Sequence, residues 1–453
     1  MQGTVLTPAD LGYEDARRVF NGNIDKRPAI IARCADAQDV AKAVTFARRR
    51  ELVIAVRGGA HSAAGFATCE GGLVVDLSPM HGVEVNADRR TATAEGGALW
   101  RDLDAATQAH GLAVTGGRVG HTGIGGLTLG GGIGWLTRTC GLTCDNLISA
   151  DLVTADGEHV HATADATPEL FWALRGGGGN FGVVTRFEFA LHPVGPDVIA
   201  GLMVYPPERG AEVLGAWEEF RKQAPEELNT MIYMQRTPKW DMLPEGLRNR
   251  EGYVFSLGSL LGYEETREAL APMRALQPGF ELLGPMRYTT LQTLTDADHS
   301  FGTRIYARGH RLAKLDAAAI EVIVEYYRRR PKTGSRFYIE HMEGAVQRLR
   351  EEDTAFPDRS SPYSIAILGW MRNDADVAPV TAWTREFWRD LKPHATGASY
   401  LNWLGVEEEA GRVTTTFGLE KHRKLAAIKR RWDPENVFRL NPNIEPAAAS
   451  SAS

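Results

Sequence analysis

The sequence predicts an α+β protein of two domains, and three observations carry that prediction. Short apolar strands mix with amphipathic helices and no unit repeats. Three glycine-rich blocks crowd the first half of the chain, and near residue 197 they give way to longer helices alternating with strands. With 453 residues, 43% hydrophobic and 24% charged, the chain has the length for two or three domains and is too apolar to be disordered or fibrous. The domain limits read as 1–196, 197–395, and a C-terminal segment 396–453 that returns to the first domain.

Taken in order, Pro28 to Ile31 is a short strand, and Asp36 caps a helix whose Val40, Ala43, Val44 and Ala47 recur at helical spacing. A strand from Leu52 to Val56 runs into the first glycine block, Arg57 to Ser62, which puts His61 at its tip. Leu73 to Leu77 is a further strand. The alternation at Val83 to Val85 and Thr91 to Glu95, joined by Asn86 to Arg89, reads as a hairpin. The second glycine block spans Gly123 to Gly134 and the third Arg175 to Gly182; strands from Leu147 to Ala155 and Val183 to Leu191 complete the domain. Beyond it, Ile320, Ile323, Val324 and Tyr327 form one helical face, and Val380, Trp383, Phe387 and Leu391 another. Tyr363 to Trp370 reads as a buried strand, a helix is predicted from Glu420 to Arg431, and Ala447 to Ser453 is a small-residue end expected to fray.

Glycines let backbone N–H groups approach an anion and reach φ values closed to other residues, so the three blocks together imply one large phosphate-bearing cofactor. A net charge of −6 and a pI near 6.1 give no electrostatic case for nucleic acid, and no stretch is apolar enough over a bilayer's length. A small-molecule partner is favoured. The opening residues lack a signal peptide's basic and apolar regions, so a cytoplasmic protein is expected. Four cysteines are too few for a disulfide framework, and Cys140 and Cys144 have no third ligand beside them, so no metal site is expected.

Together the blocks resemble the FAD-binding module of the vanillyl-alcohol oxidase and p-cresol methylhydroxylase superfamily, in its berberine-bridge-enzyme-like branch. The matching stretches, in order, are Val56 to Gly65, Gly72 to Ser78, Leu127 to Leu136, Gly141 to Asn146, Leu170 to Val184, the Tyr400-x-Asn402 motif, and Asn441 to Ile444. The resemblance implies a two-domain fold with an antiparallel-sheet substrate domain flanked by helices, and FAD bound covalently through His61. It places Arg57, Gly58, Gly59, Ala60, Ser62, Gly65, Gly117, Val119, Gly120, Thr122, Gly123, Gly126, Gly132, Asp145, Asn146, Gly182, Val183, Tyr400, Asn402 and Asn441 at the cofactor. The family's second attachment, a cysteine, aligns with Val119, which has no sulfur, so a single bond is implied. Thr122 stands at the family's oxygen gate, and its small side chain favours an oxidase, with O2 as acceptor and H2O2 as product, over a dehydrogenase.

Hydride transfer from a C–H next to O or N also needs a proton acceptor. Where the family often ends its motif in tyrosine, this chain has Trp403, whose indole only donates. That loss favours the alternative of oxidative cyclisation or oxygen insertion in a biosynthetic route. Counting back from Trp370 makes Tyr363 the first candidate base; Glu340, His341 and His121 follow. Adjacent strand residues point to opposite faces, so Glu340 and His341 cannot both reach the flavin. Tyr400 and Asn402 are expected to share a face, with Trp403 pointing away. Trp240, Met342, Trp370 and Trp403 suit an aromatic substrate better than a sugar.

Overall fold

The computed structural model describes residues 1–405 and 411–448, so the end of the small-residue tail, from 449 on, lies outside the described residues. In the first domain Ile30–Arg33, Leu73–Asp76 and Ile54–Arg57 form a parallel set, with Thr4–Leu6 antiparallel on its edge. Parallel neighbours need a crossover, and helix Ala37–Arg49 supplies it. Asp36 starts that helix by accepting a hydrogen bond from the Asp39 N–H at 2.8 Å, and Val40, Ala43, Val44 and Ala47 are buried beneath it. The first two strands sit one or two residues later than the sequence predicts, because pairing with Leu73–Asp76 fixes their register.

A five-stranded antiparallel sheet follows, in the order Val83–Asn86, Thr91–Glu95, Val183–Ala190, Leu147–Val153, His159–Ala162. Its inward residues, Phe187 and Phe189 among them, share one apolar cluster with Leu401, Leu425 and Ile428 from the C-terminal segment. Helix Leu419–Trp432 is fastened there by Lys429, whose buried Nζ donates to Asn180 O at 2.7 Å, Phe438 O at 2.9 Å and Asp433 at 2.5 Å. A lone buried ammonium would be costly; here three oxygen acceptors and one carboxylate charge satisfy it.

The middle of the chain is a seven-stranded antiparallel sheet. Its order is Phe280–Arg287, Asp197–Tyr205, Glu251–Ser259, Leu228–Arg236, Arg336–His341, Tyr363–Met371, Arg304–Leu312. Helices Gly210–Arg221, Ala317–Arg328 and Val377–Leu391 bury their apolar stripes on one face of it, through Trp217, Ile323 and Phe387 among others. The other face looks toward the glycine blocks. Because side chains alternate along a strand, every residue in the central strands belongs either to the helix side or to the side of the first domain.

Candidate active site

Two walls of different character enclose the main cavity. One is largely backbone. The first and second glycine blocks touch: a Cβ on Gly59 would stand 2.3 Å from the Gly123 nitrogen, and one on Gly123 2.2 Å from the Gly59 nitrogen. Only glycine permits that approach. Ala60 takes a left-handed φ of 53°, and its carbonyl accepts from the Phe20 N–H at 3.0 Å, which turns His61 into the cavity. Gly126 and Gly179 line the void and an added Cβ would meet nothing within 4 Å, so bare backbone faces open space there. Gly58, Ser62, Gly117, Val119 and Thr122 continue this wall, and Gly182 and Asn441 extend it. Asn441 Nδ2 donates to Gly179 O at 3.0 Å, tying the C-terminal loop to the third block.

The His61 ring stacks on Phe20 with centroids 4.1 Å apart and the planes 16° from parallel. Burial, followed by the neighbouring His121 and His299, lowers its pKa to about 3, so at neutral pH it is an uncharged imidazole. Its Nε2 is buried without a hydrogen-bond partner. A neutral ring with an unsatisfied nitrogen, facing a void walled by bare backbone, fits the attachment point and bed of a large flat cofactor.

The second wall is side chains. Tyr233, Arg336, Tyr338, Glu340 and Leu368 project from the seven-stranded sheet, and Trp403 closes one margin. Arg118, from the loop just before Val119, forms a buried ion pair with Glu340 Oε1, donates to Gly134 O at 3.2 Å and lies 4.9 Å from the Trp135 ring centroid. Burial disfavours the charged guanidinium, but Glu340, Tyr233 and Tyr338 outweigh it and hold its pKa above the ordinary value. Burial pushes the Tyr338 hydroxyl well above the usual phenol range, with Glu340 adding to the shift, so Tyr338 is a donor at neutral pH. His299, its Nδ1 2.8 Å from Thr295 O, is lowered to about 4 by burial and then by Arg336.

The ladder corrects two of the predicted bases. Tyr363 lies directly across from His341, and Glu340 directly across from Ser364. Paired residues share a face, so Tyr363 and His341 point together to the helix side while Glu340 points to the cavity. Tyr363 is fully buried against Trp217 and donates to Glu218 at 2.9 Å; burial drives its pKa far up. His341 contacts Glu343 at 2.6 Å on that same side. Neither reaches the cavity. His121 lines a neighbouring depression with Asp296 and Phe301, its ring 5.1 Å from that of His61.

Several predicted cofactor contacts brace the loops from behind and do not line the main cavity. Arg57 turns away to donate to Ala16 O and Arg18 O, each at 2.6 Å. Gly65 abuts Ile24, Gly120 N–H is taken by Asp296 at 2.7 Å, and Gly132 is pressed onto Thr143. Asp145 is committed to buried Arg359 at 2.5 Å, Asn146 donates to Cys140 O and Leu142 O, and Val183 packs in the apolar cluster with Phe438. The segment expected as a strand at Tyr400 is a 3-10 turn, Leu401–Trp403. Its threefold winding brings Trp403 to the same side as Tyr400, with ring centroids 6.3 Å apart, and all of Tyr400, Asn402 and Trp403 line the cavity. Trp240 is instead at the surface and Met342 is buried with Phe356, while Trp370 supports Arg336. Arg118, Tyr233, His299, Arg336 and Tyr338 were not singled out from sequence. The alternation Arg336, Tyr338, Glu340 is the signal that would have found three of the side chains on that wall.

Residues 28–163 match the family model described as FAD binding domain, and residues 399–445 the one described as berberine and berberine like. Over 455 residues the chain is 34% identical to an FAD-linked oxidoreductase of Dictyostelium discoideum, covering 98% of this chain and 95% of that one. It is 32% identical over 465 residues to (R)-6-hydroxynicotine oxidase of Paenarthrobacter nicotinovorans, covering 98% and 97%. The solved structure of 6-hydroxy-D-nicotine oxidase from Arthrobacter nicotinovorans superposes with a TM-score of 0.87 at 29% identity, over 99% and 98% of the two chains. Fold and site therefore define an FAD-dependent oxidoreductase of the two-domain vanillyl-alcohol-oxidase type. Within that class the chain belongs to the berberine-bridge-enzyme-like family of FAD-linked oxidoreductases.

Proposed function

We propose that this enzyme is an oxidase that removes hydride from a C–H next to O or N of a small organic substrate, with O2 as the final acceptor and H2O2 as the product. The observation carrying this reading is Glu340. Its Oε1 is held by Arg118, while its second oxygen has no hydrogen-bond partner among the described residues and belongs to the cavity wall. A carboxylate so placed can accept the proton from the substrate O–H or N–H as the C–H bond breaks, while Tyr338, protonated, donates to the same substrate atom and holds it in place. FAD, held by the loop wall, would supply the two-electron acceptor for that hydride. Thr122 lines the loop wall, and its small side chain supports an oxidase over a dehydrogenase.

His61 would hold the cofactor by a single bond from its ring nitrogen to the 8α carbon. The wall position that a second, sulfur link would need is Val119. The domain limits 1–196, 197–395 and 396–453 belong to the same reading. The test is denaturation: acid-precipitated holoprotein should stay yellow, and His61→Ala should release all of its flavin. A cysteinyl-flavin peptide in a digest, or no peroxide from any alcohol or amine in a broad screen, would overturn the proposal.

A further inference from the structure

Three charged side chains line the cavity among the described residues: Arg118, Glu340 and Arg336. The first two neutralise each other as a buried pair. His61 and His299 are uncharged at neutral pH, since burial lowers them to about 3 and about 4. Arg336 is therefore the cation left over on the wall.

Its own contacts are weak ones. The guanidinium lies over Trp370, 4.2 Å from the ring centroid, and reaches Gln235 Oε1 at 3.4 Å, Asp298 at 3.3 Å and His299 Nε2 at 3.3 Å. Asp298 is 64% exposed and screened by solvent, while the Arg336 side chain is only 12% exposed. None of these contacts is a short bidentate pair of the kind a guanidinium makes with a carboxylate. Trp370, itself in edge contact with His299 at 5.5 Å, fixes the orientation of the fork. The platform is rigid and its donors are under-used.

We propose that Arg336 is the anion-recognition residue of this active site, and that the enzyme's substrates are aromatic or unsaturated alcohols or amines bearing a carboxylate. This rests on the oxidase reading of the same cavity. Arg336, Tyr338 and Glu340 occupy alternate positions on one strand, so they stand roughly 7 Å apart at each step. A substrate whose carboxylate sits on Arg336 thus passes under Tyr338 at the first step, about one aromatic ring away, and its reacting group meets the free oxygen of Glu340 at the second, roughly 14 Å along the strand. Tyr233, Trp403 and Leu368 supply the apolar walls that such a ring fills. A cationic amine finds no uncompensated anion here.

The test uses the flavin-loaded enzyme and matched probes: cinnamate against cinnamamide, and 4-methoxybenzoate against 4-methoxybenzamide, each titrated while following the flavin's visible spectrum. The acids should bind about tenfold to a hundredfold more tightly than the amides, the range for a charge-assisted pair, and the gap should shrink with added salt. Arg336→Gln should abolish the gap, and Arg336→Lys should restore part of it. Equal binding of acids and amides to the parent enzyme, or a preference that survives Arg336→Gln, would overturn the proposal. So would an Arg336→Gln effect that changes the flavin spectrum without probe and weakens acids and amides alike, which would make the arginine a cofactor contact. The titration needs no turnover: a carboxylate preference in an enzyme that releases no peroxide would leave this assignment standing while the oxidase reading fell.

Discussion

The two walls of the cavity are built from opposite materials. The first-domain wall is main chain, brought close by glycines at Gly59 and Gly123 and left bare at Gly126 and Gly179, with the His61 ring turned into the cavity. The sheet wall has Tyr233, Arg336, Tyr338 and Glu340 standing on a rigid ladder whose far face is packed by three helices. The difference teaches how the work divides. Backbone is the same whatever the residue, so the first wall suits a constant occupant. Side chains can change without moving the ladder, so the second wall suits a variable one.

That division can be broken by substitution. The largest expected effect is on the sheet wall: Glu340→Gln keeps the shape and a contact for Arg118 but removes the proposed proton acceptor. Anaerobic flavin reduction measured by stopped flow should fall by about 10² to 10⁴. A loss under threefold would return Glu340 to a purely structural role.

A second effect lies behind the backbone wall. Asp104 is fully buried in helix Trp100–Gln108, accepts from Gln292 Nε2 at 3.0 Å, and has one oxygen without a partner; Gln292 in turn donates to Gly117 O at 3.3 Å. Burial raises the Asp104 pKa to about 7, with that hydrogen bond opposing it. Between about pH 4 and 7 the folded state therefore holds a proton that the unfolded chain has released, and stability falls as pH rises through this window. At roughly 1.4 kcal/mol per unit the loss approaches 4 kcal/mol. Asp104→Asn should flatten denaturation midpoints over that window, and an unchanged pH profile would place the proton elsewhere.

The smallest effect sharpens the contrast between the sheet's two faces. Tyr363→Phe removes a hydroxyl bonded to Glu218, a residue that still accepts from the Leu315 N–H and pairs with Arg221. It should cost about 1 kcal/mol of stability by urea titration. Flavin reduction should stay within about threefold of the parent, because the hydroxyl lies on the helix side.

How much of this was legible in the sequence differs by wall for a physical reason. The loop wall comes from contiguous blocks, and glycine is required wherever two backbones nearly touch, so Gly58, Gly59, Gly117, Gly123 and His61 could be read directly. What was misread there are the buttresses: Gly65, Gly132, Asp145 and Asn146 share the same motifs, but packing turns them outward. The sheet wall is gathered from alternate positions on non-consecutive strands, and which face meets the cavity depends on pairing that no single segment specifies. Alternation allowed only one of Glu340 and His341, but not which. Counting back from Trp370 reached Tyr363, one residue out of phase with the cavity face, and one residue is the whole difference between the two sides of a sheet. At Tyr400 the tight winding of three residues replaced an expected strand and moved Trp403 from the outside to the cavity.

Lys429 has a consequence in the order of synthesis. The third glycine block is complete by residue 182, yet Asn180 is held by groups that emerge from the ribosome some 250 residues later: the Lys429 ammonium at 2.7 Å and the Ile444 N–H at 3.0 Å. Gly179 likewise waits for Asn441. The nascent first domain therefore leaves the ribosome with one side of its cofactor bed unbraced. Contacts this distant in sequence form late, so a chain cut short before Lys429 leaves the third glycine block without these braces.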